Sequence, residues 1–383
     1  MTKVIAVTVL AALAGCGALD SVPSGAVTNC QVVTLVPSKT DILFVVDDSG
    51  SMQPEQANLA TNFDAFITRL SQSAVKSDFQ IGITTTSVDW PFAADNAAGF
   101  TLRTTYDDGT PYPAGALVAA SGKATILKSS SPTLVEDFKA NVNVGTLGAA
   151  KEQGLRAAEL AVTDRIADGK NAGFLRQGAR LALIIVTDED DCSDPASPPA
   201  VVYPARGDAC HTDEDQASLP PVSTFAKALR GQLAGQTRSM VVAVIAGVDP
   251  ETREPAKPVC SPGGLAAKRY KVLVDDFGGA GLIDDVCQAD FTRTLQDIAG
   301  LIDQNVDLDQ ALSDPNLLTV SVSHAAGSTA ACKLAQAGGD TSAADAIYTG
   351  PDPQTGRLPS LTFQRSCALG AGDQVHVQVL CAN

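Results

Sequence analysis

Histidine is scarce in this chain, with three in 383 residues, and none of its nine cysteines forms a C-x-x-C pair. Both shortages argue against a zinc or dithiol redox centre. Basic residues are also outnumbered, 27 Lys and Arg against 43 Asp and Glu, for a net charge of −16. That balance argues against gripping nucleic acid or anionic lipid through a basic surface, and it suits cation binding. No apolar run is long enough to span a bilayer, since the N-terminal stretch Val4 to Ala14 is too short. No internal repeat or long low-complexity tract interrupts the chain.

What is present suffices for a sizeable core: 45% hydrophobic residues against 18% charged. The length allows one large domain with additions, or two domains. The first residues read as a targeting segment, with Lys3 as a positive start and Val4 to Ala14 as a short apolar stretch. Leu13-Ala14-Gly15-Cys16 then resembles the lipobox of bacterial lipoproteins. The resemblance implies cleavage after residue 15, lipidation of Cys16, a membrane anchor and a cell-envelope location. Gly17 in place of aspartate points to the outer membrane. Residues 16–29 are small and polar, a tether between anchor and fold. Eight further cysteines in an exported chain suggest up to four disulfides. Proximity in sequence suggests Cys192 with Cys210 and Cys260 with Cys287, leaving Cys30, Cys332, Cys367 and Cys381 to pair among themselves.

The chain is organised around Asp41-Ile42-Leu43-Phe44-Val45-Val46-Asp47-Asp48-Ser49-Gly50-Ser51. Five consecutive apolar residues, Ile42 to Val46, read as a strand buried on both faces, as in a parallel sheet. In the D-x-S-G-S that follows, Asp47, Ser49 and Ser51 share one parity, so an extended chain points them the same way. One carboxylate and two hydroxyls converging at a strand end suit a hard cation. This motif resembles the metal-ion-dependent adhesion site of the von Willebrand factor A domain. The resemblance implies Mg²⁺, or Mn²⁺ or Ca²⁺, held by further oxygens. Thr146, in Val144-Gly145-Thr146, matches a threonine of that site, although the family's usual G-G-T is absent. Asp188, in Thr187-Asp188 after the apolar run Leu181 to Val186, matches its second aspartate. Asp190 and Asp191 read as solvated charge.

The remaining pattern alternates. Leu59, Phe63, Phe66, Ile67 and Leu70 mark an amphipathic helix after the motif, whose N-terminal dipole slightly disfavours a cation beside it. Phe79 to Thr85 and Met240 to Ala246 read as strands, and Phe225 to Leu233 as a helix. Leu147, Ala150, Leu155, Ala158, Ala161 and Val162 trace a helical stripe, and Phe291, Leu295, Ile298 and Ile302 a last one. Cys260 and Cys287 flank a loop-and-strand region. This order predicts a doubly wound, mostly parallel α/β sheet with helices on both faces, and a small disulfide-stapled β module after it. The expected organisation is residues 1–15 as signal, 30–305 as the A-type domain and 306–383 as a β-rich extension. Inserts are expected at about 87–131, carrying a hairpin, and at 189–222, a proline-rich loop overhanging Asp188.

These readings converge on a binding protein whose cation is completed by a partner's Asp or Glu carboxylate. A haloacid-dehalogenase-type phosphatase is the enzymatic alternative, but it needs D-x-D where Ser49 stands. A serine hydrolase needs a nearby histidine, and His211, His324 and His376 all lie in the insert or the tail. A structural envelope protein that binds no ligand is the third reading.

Overall fold

The computed structural model describes residues 31–36, 39–72, 78–93, 99–203, 210, 212–231, 238–352 and 358–380. Cys16, Cys30, His211 and Cys381 lie outside the described residues. In chain order, β1 (Leu35–Val36) and β2 (Lys39–Val46) precede α1 (Gln53–Ser71) and β3 (Asp78–Thr85). A hairpin of β4 (Trp90–Ala93) and β5 (Phe100–Arg103) follows, then β6 (Ile126–Lys128), α2 (Leu134–Asn141), α3 (Gly154–Val162) and the short α4 (Asp164–Ala167). After β7 (Arg180–Val186) come α5 (Asp213–Ser218), α6 (Val222–Leu229), β8 (Met240–Ala246), α7 (Lys268–Phe277), β9 (Gly281–Asp285) and α8 (Thr292–Asp303). The chain is mixed α/β with several sheets.

The largest sheet has the order β6-β3-β2-β7-β8-β9, parallel throughout except for the antiparallel edge strand β6. Alternate residues of β2 serve two cores. Ile42, Phe44 and Val46 pack with Leu59, Phe63, Phe138, Leu295 and Ile298 of α1, α2 and α8. Leu43 and Val45 pack with Leu155, Phe225 and Tyr270 of α3, α6 and α7. Each such side chain, fully buried, is worth about 1.5–3 kcal/mol. Burial on both faces explains why Ile42 to Val46 of β2, Leu181 to Val186 of β7 and all of β8 are continuously apolar rather than alternating.

Several expectations change. The stripe assigned to one helix from Leu147 onward is split, because α3 begins only at Gly154, and Leu147 is 70% exposed. Backbone groups just before the helix are claimed by side chains and loops instead: Gly148 N donates to Asp48 O at 2.7 Å and Ala149 N to Ser87 Oγ at 2.8 Å. The region between Cys260 and Cys287 contains a full helix, α7, with Arg269, Tyr270, Leu273 and Val274 buried. The described residues of the proline-rich insert include a packed cluster rather than only loose loop. Val201, Tyr203 and Leu219 cluster with Trp90 and Phe92 of the first insert. Tyr203 N bonds Pro91 O at 2.9 Å and Ala93 N bonds Tyr203 O at 2.7 Å, so the two inserts share a short ladder.

The tail forms two sheets around one cluster. β10 (Asn305–Leu308), β13 (Leu334–Gln336), β14 (Ala346–Thr349) and β15 (Ser360–Phe363) join β1 in the order β1-β10-β15-β14-β13. β11 (Leu318–Ser323), β12 (Thr329–Cys332) and β16 (Gln374–Val379) form the other, β12-β11-β16. Val306, Val320, Val322, Tyr348, Leu361 and Phe363 are buried between them. Val33 enters the same cluster, and Leu35 pairs with Leu308, so the residues just after Cys30 build onto the tail rather than onto the large sheet. Among the described residues three disulfides are present: Cys192–Cys210, Cys260–Cys287 and Cys332–Cys367.

One polar clamp in the tail pairs a histidine with a buried carboxylate. His324 Nδ1 meets Asp373 Oδ2 at 2.7 Å and Nε2 meets Ser366 O at 3.0 Å, so both nitrogens donate when the ring is charged. Those bonds raise the imidazole above its usual value, the Asp373 bond foremost. A raised folded value means this stabilisation is complete below about 6.5 and is lost as pH climbs through the folded value. His324→Gln is therefore expected to flatten the decline of the melting temperature between pH 6 and 8. An unchanged decline would show that the clamp contributes nothing.

Candidate metal centre

The site follows from strand register. Val46 pairs with Thr85 of β3 and with Val186 of β7, and Val186 pairs with Ile245 of β8. The residues immediately after these strand ends, Asp47, Thr86 and Thr187, therefore arrive together at the C-terminal edge of the sheet, where open α/β sheets bind ligands. Thr187 Oγ1 donates to Asp47 Oδ2 at 2.6 Å, Ser49 N donates to Oδ1 at 2.8 Å, and Thr86 Oγ1 lies 3.4 Å from Oδ1. Asp47 is wholly buried and its orientation is fixed by these donors.

Ser49 is nearly buried and Ser51 exposed, and their Oγ atoms stand 3.3 Å apart, so the two hydroxyls of the motif do converge. Thr146 is half-buried in a loop tied at two points to the motif. Gln56 Nε2, from the first turns of α1, donates to Asp47 O at 2.9 Å and to Gly145 O at 2.8 Å. Gly148 N closes the other side on Asp48 O. A Cβ at Gly148 would sit 2.4 Å from Asp48 Cγ and 2.7 Å from its backbone oxygen, so glycine is what allows this approach.

Asp188 follows Thr187 and is wholly buried, and neither Oδ1 nor Oδ2 has a hydrogen-bond partner. Leu265 N bonds its backbone oxygen at 2.9 Å, which fixes the chain but not the carboxylate. A buried polar group left unpaired costs about 1–3 kcal/mol, more when charged. Burial, and after it the negative charge of Asp188, pushes the Asp47 carboxyl up to about 7. Burial, then the charge of neighbouring Glu189, also raises Glu152, which is itself fully buried with Oε1 unpartnered. Among the described residues no lysine, arginine or histidine bonds Asp47, Asp48 or Asp188.

Sequence reasoning passed over several residues here. Asp48 is wholly buried, accepts from Ser87 Oγ at 2.7 Å and from Tyr106 OH at 2.7 Å, and holds the first insert against the motif. Thr86 and Thr187 were discoverable as the polar residues that end two apolar strands. The reading of Asp190 and Asp191 as solvated charge is overturned, since both are buried. Asp190 accepts from Arg269 N at 3.0 Å. Asp191 accepts from Leu155 N at the start of α3, from Ser193 and from Arg269 Nε at 3.0 Å. Their work is to fasten α3 and α7 to the strand end.

Among the described residues, no group of three or more His, Cys, Asp or Glu could hold a metal by itself. Any cation at this edge would depend on hydroxyl oxygens together with the two carboxylates.

No family model and no curated protein matches the sequence. Solved structures similar to this chain include a von Willebrand factor type A protein from Catenulispora acidiphila, at 14% identity and TM-score 0.36, covering 91% of this chain and 59% of that one. Proximal thread matrix protein 1 from the mussel byssus matches at 11% identity and TM-score 0.36, covering 70% and 49%. The pilus adhesin SpaC from Lactobacillus rhamnosus GG, in an open conformation, matches at 14% identity and TM-score 0.37, covering 92% and 40%. The chain thus spans less than two thirds of each of these structures. Likenesses this distant carry no argument about function, which is argued below from the site alone.

Proposed function

We propose that this chain is a cell-envelope binding protein that engages a protein partner through a divalent cation. The observation that carries the proposal is the Asp188 carboxylate, buried without a single partner beside Asp47. A cation between them would satisfy both charges and remove their repulsion. Its oxygens would come from Asp47, Ser49, Ser51, Thr146 and Asp188, a hard donor set suited to Mg²⁺ or Mn²⁺, or to Ca²⁺.

Three neutral hydroxyls and two carboxylates leave an exposed position for one more anionic oxygen. An Asp or Glu side chain of the partner fits that need, and the outcome is adhesion rather than chemistry. The fold reading that accompanies this is a doubly wound A-type domain, with its site at the carboxyl edge of the sheet. Among the described residues, His324 and His376 are both tail residues bonded to other tail groups, which gives no support to a serine hydrolase at Ser49 or Ser51. Among the described residues, no helix is long and apolar enough to cross a membrane. Attachment through lipidated Cys16 and the 16–29 tether is the anchor we propose.

Mn²⁺ provides a direct test. Its addition should enhance the relaxation rate of water protons, because a bound ion with an open position exchanges water. N-acetyl-aspartate methylamide should then reduce that enhancement by displacing the water. No enhancement at millimolar protein and metal would end the metal reading. Enhancement unaffected by the carboxylate would end the partner reading.

A further inference from the structure

A cleft of about 550 Å³ opens beside the metal centre, between the first turns of α1 and the loop closed by the Cys260–Cys287 disulfide. Its walls carry two carboxylates, Glu55 and Asp290, and among its lining residues there is no lysine, arginine or histidine. The amides that line it are already engaged. Asn58 Nδ2 donates to Gln288 O at 2.8 Å, Asn58 Oδ1 accepts from Phe291 N at 3.3 Å, and Asn62 Oδ1 accepts from Thr292 Oγ1 at 3.0 Å. These bonds tie the two walls together, and the carboxylates of Glu55 and Asp290 are the charged groups of the lining.

The carboxylates differ. Asp290 is exposed and accepts from Thr292 N at 2.6 Å, and Thr292 holds its carboxyl below the usual range and keeps it charged. Glu55 is only 7% exposed, and its Oε2 has no hydrogen-bond partner. Burial raises its carboxyl, with the charge of Asp188 adding to the effect, which places Glu55 within electrostatic reach of the metal centre. Glu55 also stands four residues after Ser51 in the chain. An anionic cleft with one unpartnered buried carboxylate calls for a cationic donor of several N–H groups.

We infer that this cleft receives a lysine or arginine side chain of the protein partner, seated between Glu55 and Asp290. The inference rests on the metal reading for the identity of the partner, because the same partner segment would place a carboxylate on the cation and a positive side chain here. Recognition then requires two opposite charges at a set spacing, which discriminates against segments carrying either alone. Seating both ends at once also gains from effective concentration.

The probe for the cleft is n-butylguanidinium, with n-butylurea as its neutral isostere, followed by saturation-transfer NMR on the full chain without metal. Butylguanidinium should bind and butylurea should not. Glu55→Gln keeps the shape and should weaken butylguanidinium roughly tenfold, the loss of one charge-assisted bond. Asp290→Asn, at an exposed position, should weaken it by a smaller factor. Equal binding of the two probes, or affinity unchanged in both variants, overturns the inference. The link to the metal is read with a series of ω-guanidino carboxylic acids of increasing length. At least one should bind more tightly with Mg²⁺ than without it, and no gain at any length overturns the shared partner. Mn²⁺ relaxation on the same samples separates the two claims. Lost metal binding with retained butylguanidinium binding defeats the metal reading alone, and the converse defeats the cleft alone.

Discussion

Asp188→Asn is expected to be more stable than the parent without metal and less stable than the parent with it. In chelator, the variant loses a buried carboxylate that has no partner and that raises its neighbour Asp47. With Mg²⁺ or Mn²⁺ at about a hundredfold excess over Kd, the parent should gain about 2.7 kcal/mol by mass action, and the variant close to nothing. The order of melting temperatures should therefore invert. The pH dependence follows from Asp47, whose folded value of about 7 stands above its ordinary 3.8. A raised carboxyl favours the protonated folded state, so the metal-free parent should lose stability as pH rises from about 4 to 7 and level off above. Metal competes with that proton, so the gain from metal should grow across the same window. Thermal melts from pH 5 to 8, with and without chelator, check every part of this. A variant that gains as much from metal as the parent would remove Asp188 from the site.

Asp191→Ala is expected to destabilise the chain by about 3–5 kcal/mol, the range for breaking a buried ion pair on one side. The carboxylate is wholly buried, and its loss would strand Arg269 and leave the start of α3 without its acceptor. The control is Asp64→Ala, which breaks an exposed pair with Lys139 and should cost less than about 1 kcal/mol. Urea unfolding of the two variants gives the comparison. If Asp191→Ala unfolds within about 1 kcal/mol of the parent, the contacts around it are not holding α3 and α7.

Local signals in the sequence carried far for the large sheet. The runs Ile42 to Val46, Leu181 to Val186 and Met240 to Ala246 are strands because burial on both faces demands apolar residues at every position, a pattern that needs no partner to be seen. At Asp47 the parity argument assumes an extended chain, whereas Ser49 to Ser51 form a turn in which Ser49 N bonds back to Asp47 Oδ1 and the two serine hydroxyls meet. What stayed hidden depends on contacts far apart in sequence. Asp190 and Asp191 look like surface charge until Arg269 and the start of α3 are brought to them. Tyr203 looks like a loop residue until Pro91 and Ala93 offer it a ladder. α7 was obscured because Lys268, Arg269 and Lys271 interrupt its apolar spacing, although Arg269 is buried by its carboxylate partners. Thr86 and Ser87 become interesting only once register places them beside Asp47 and Asp48.

The pairing of β1 with β10 bears on how the chain matures. Thr34 donates to Asp309 through both its backbone N–H and its hydroxyl, across a separation of 275 residues. As the chain is synthesised, β1 is made well before β10, its partner in the sheet. The segment around Val33 must therefore wait, unpaired, while the central sheet assembles behind it. Closing so long a loop is slow and is rewarded only at the last step. The tail module thus joins two segments far apart in sequence, and it can close only after the residues between them have been made.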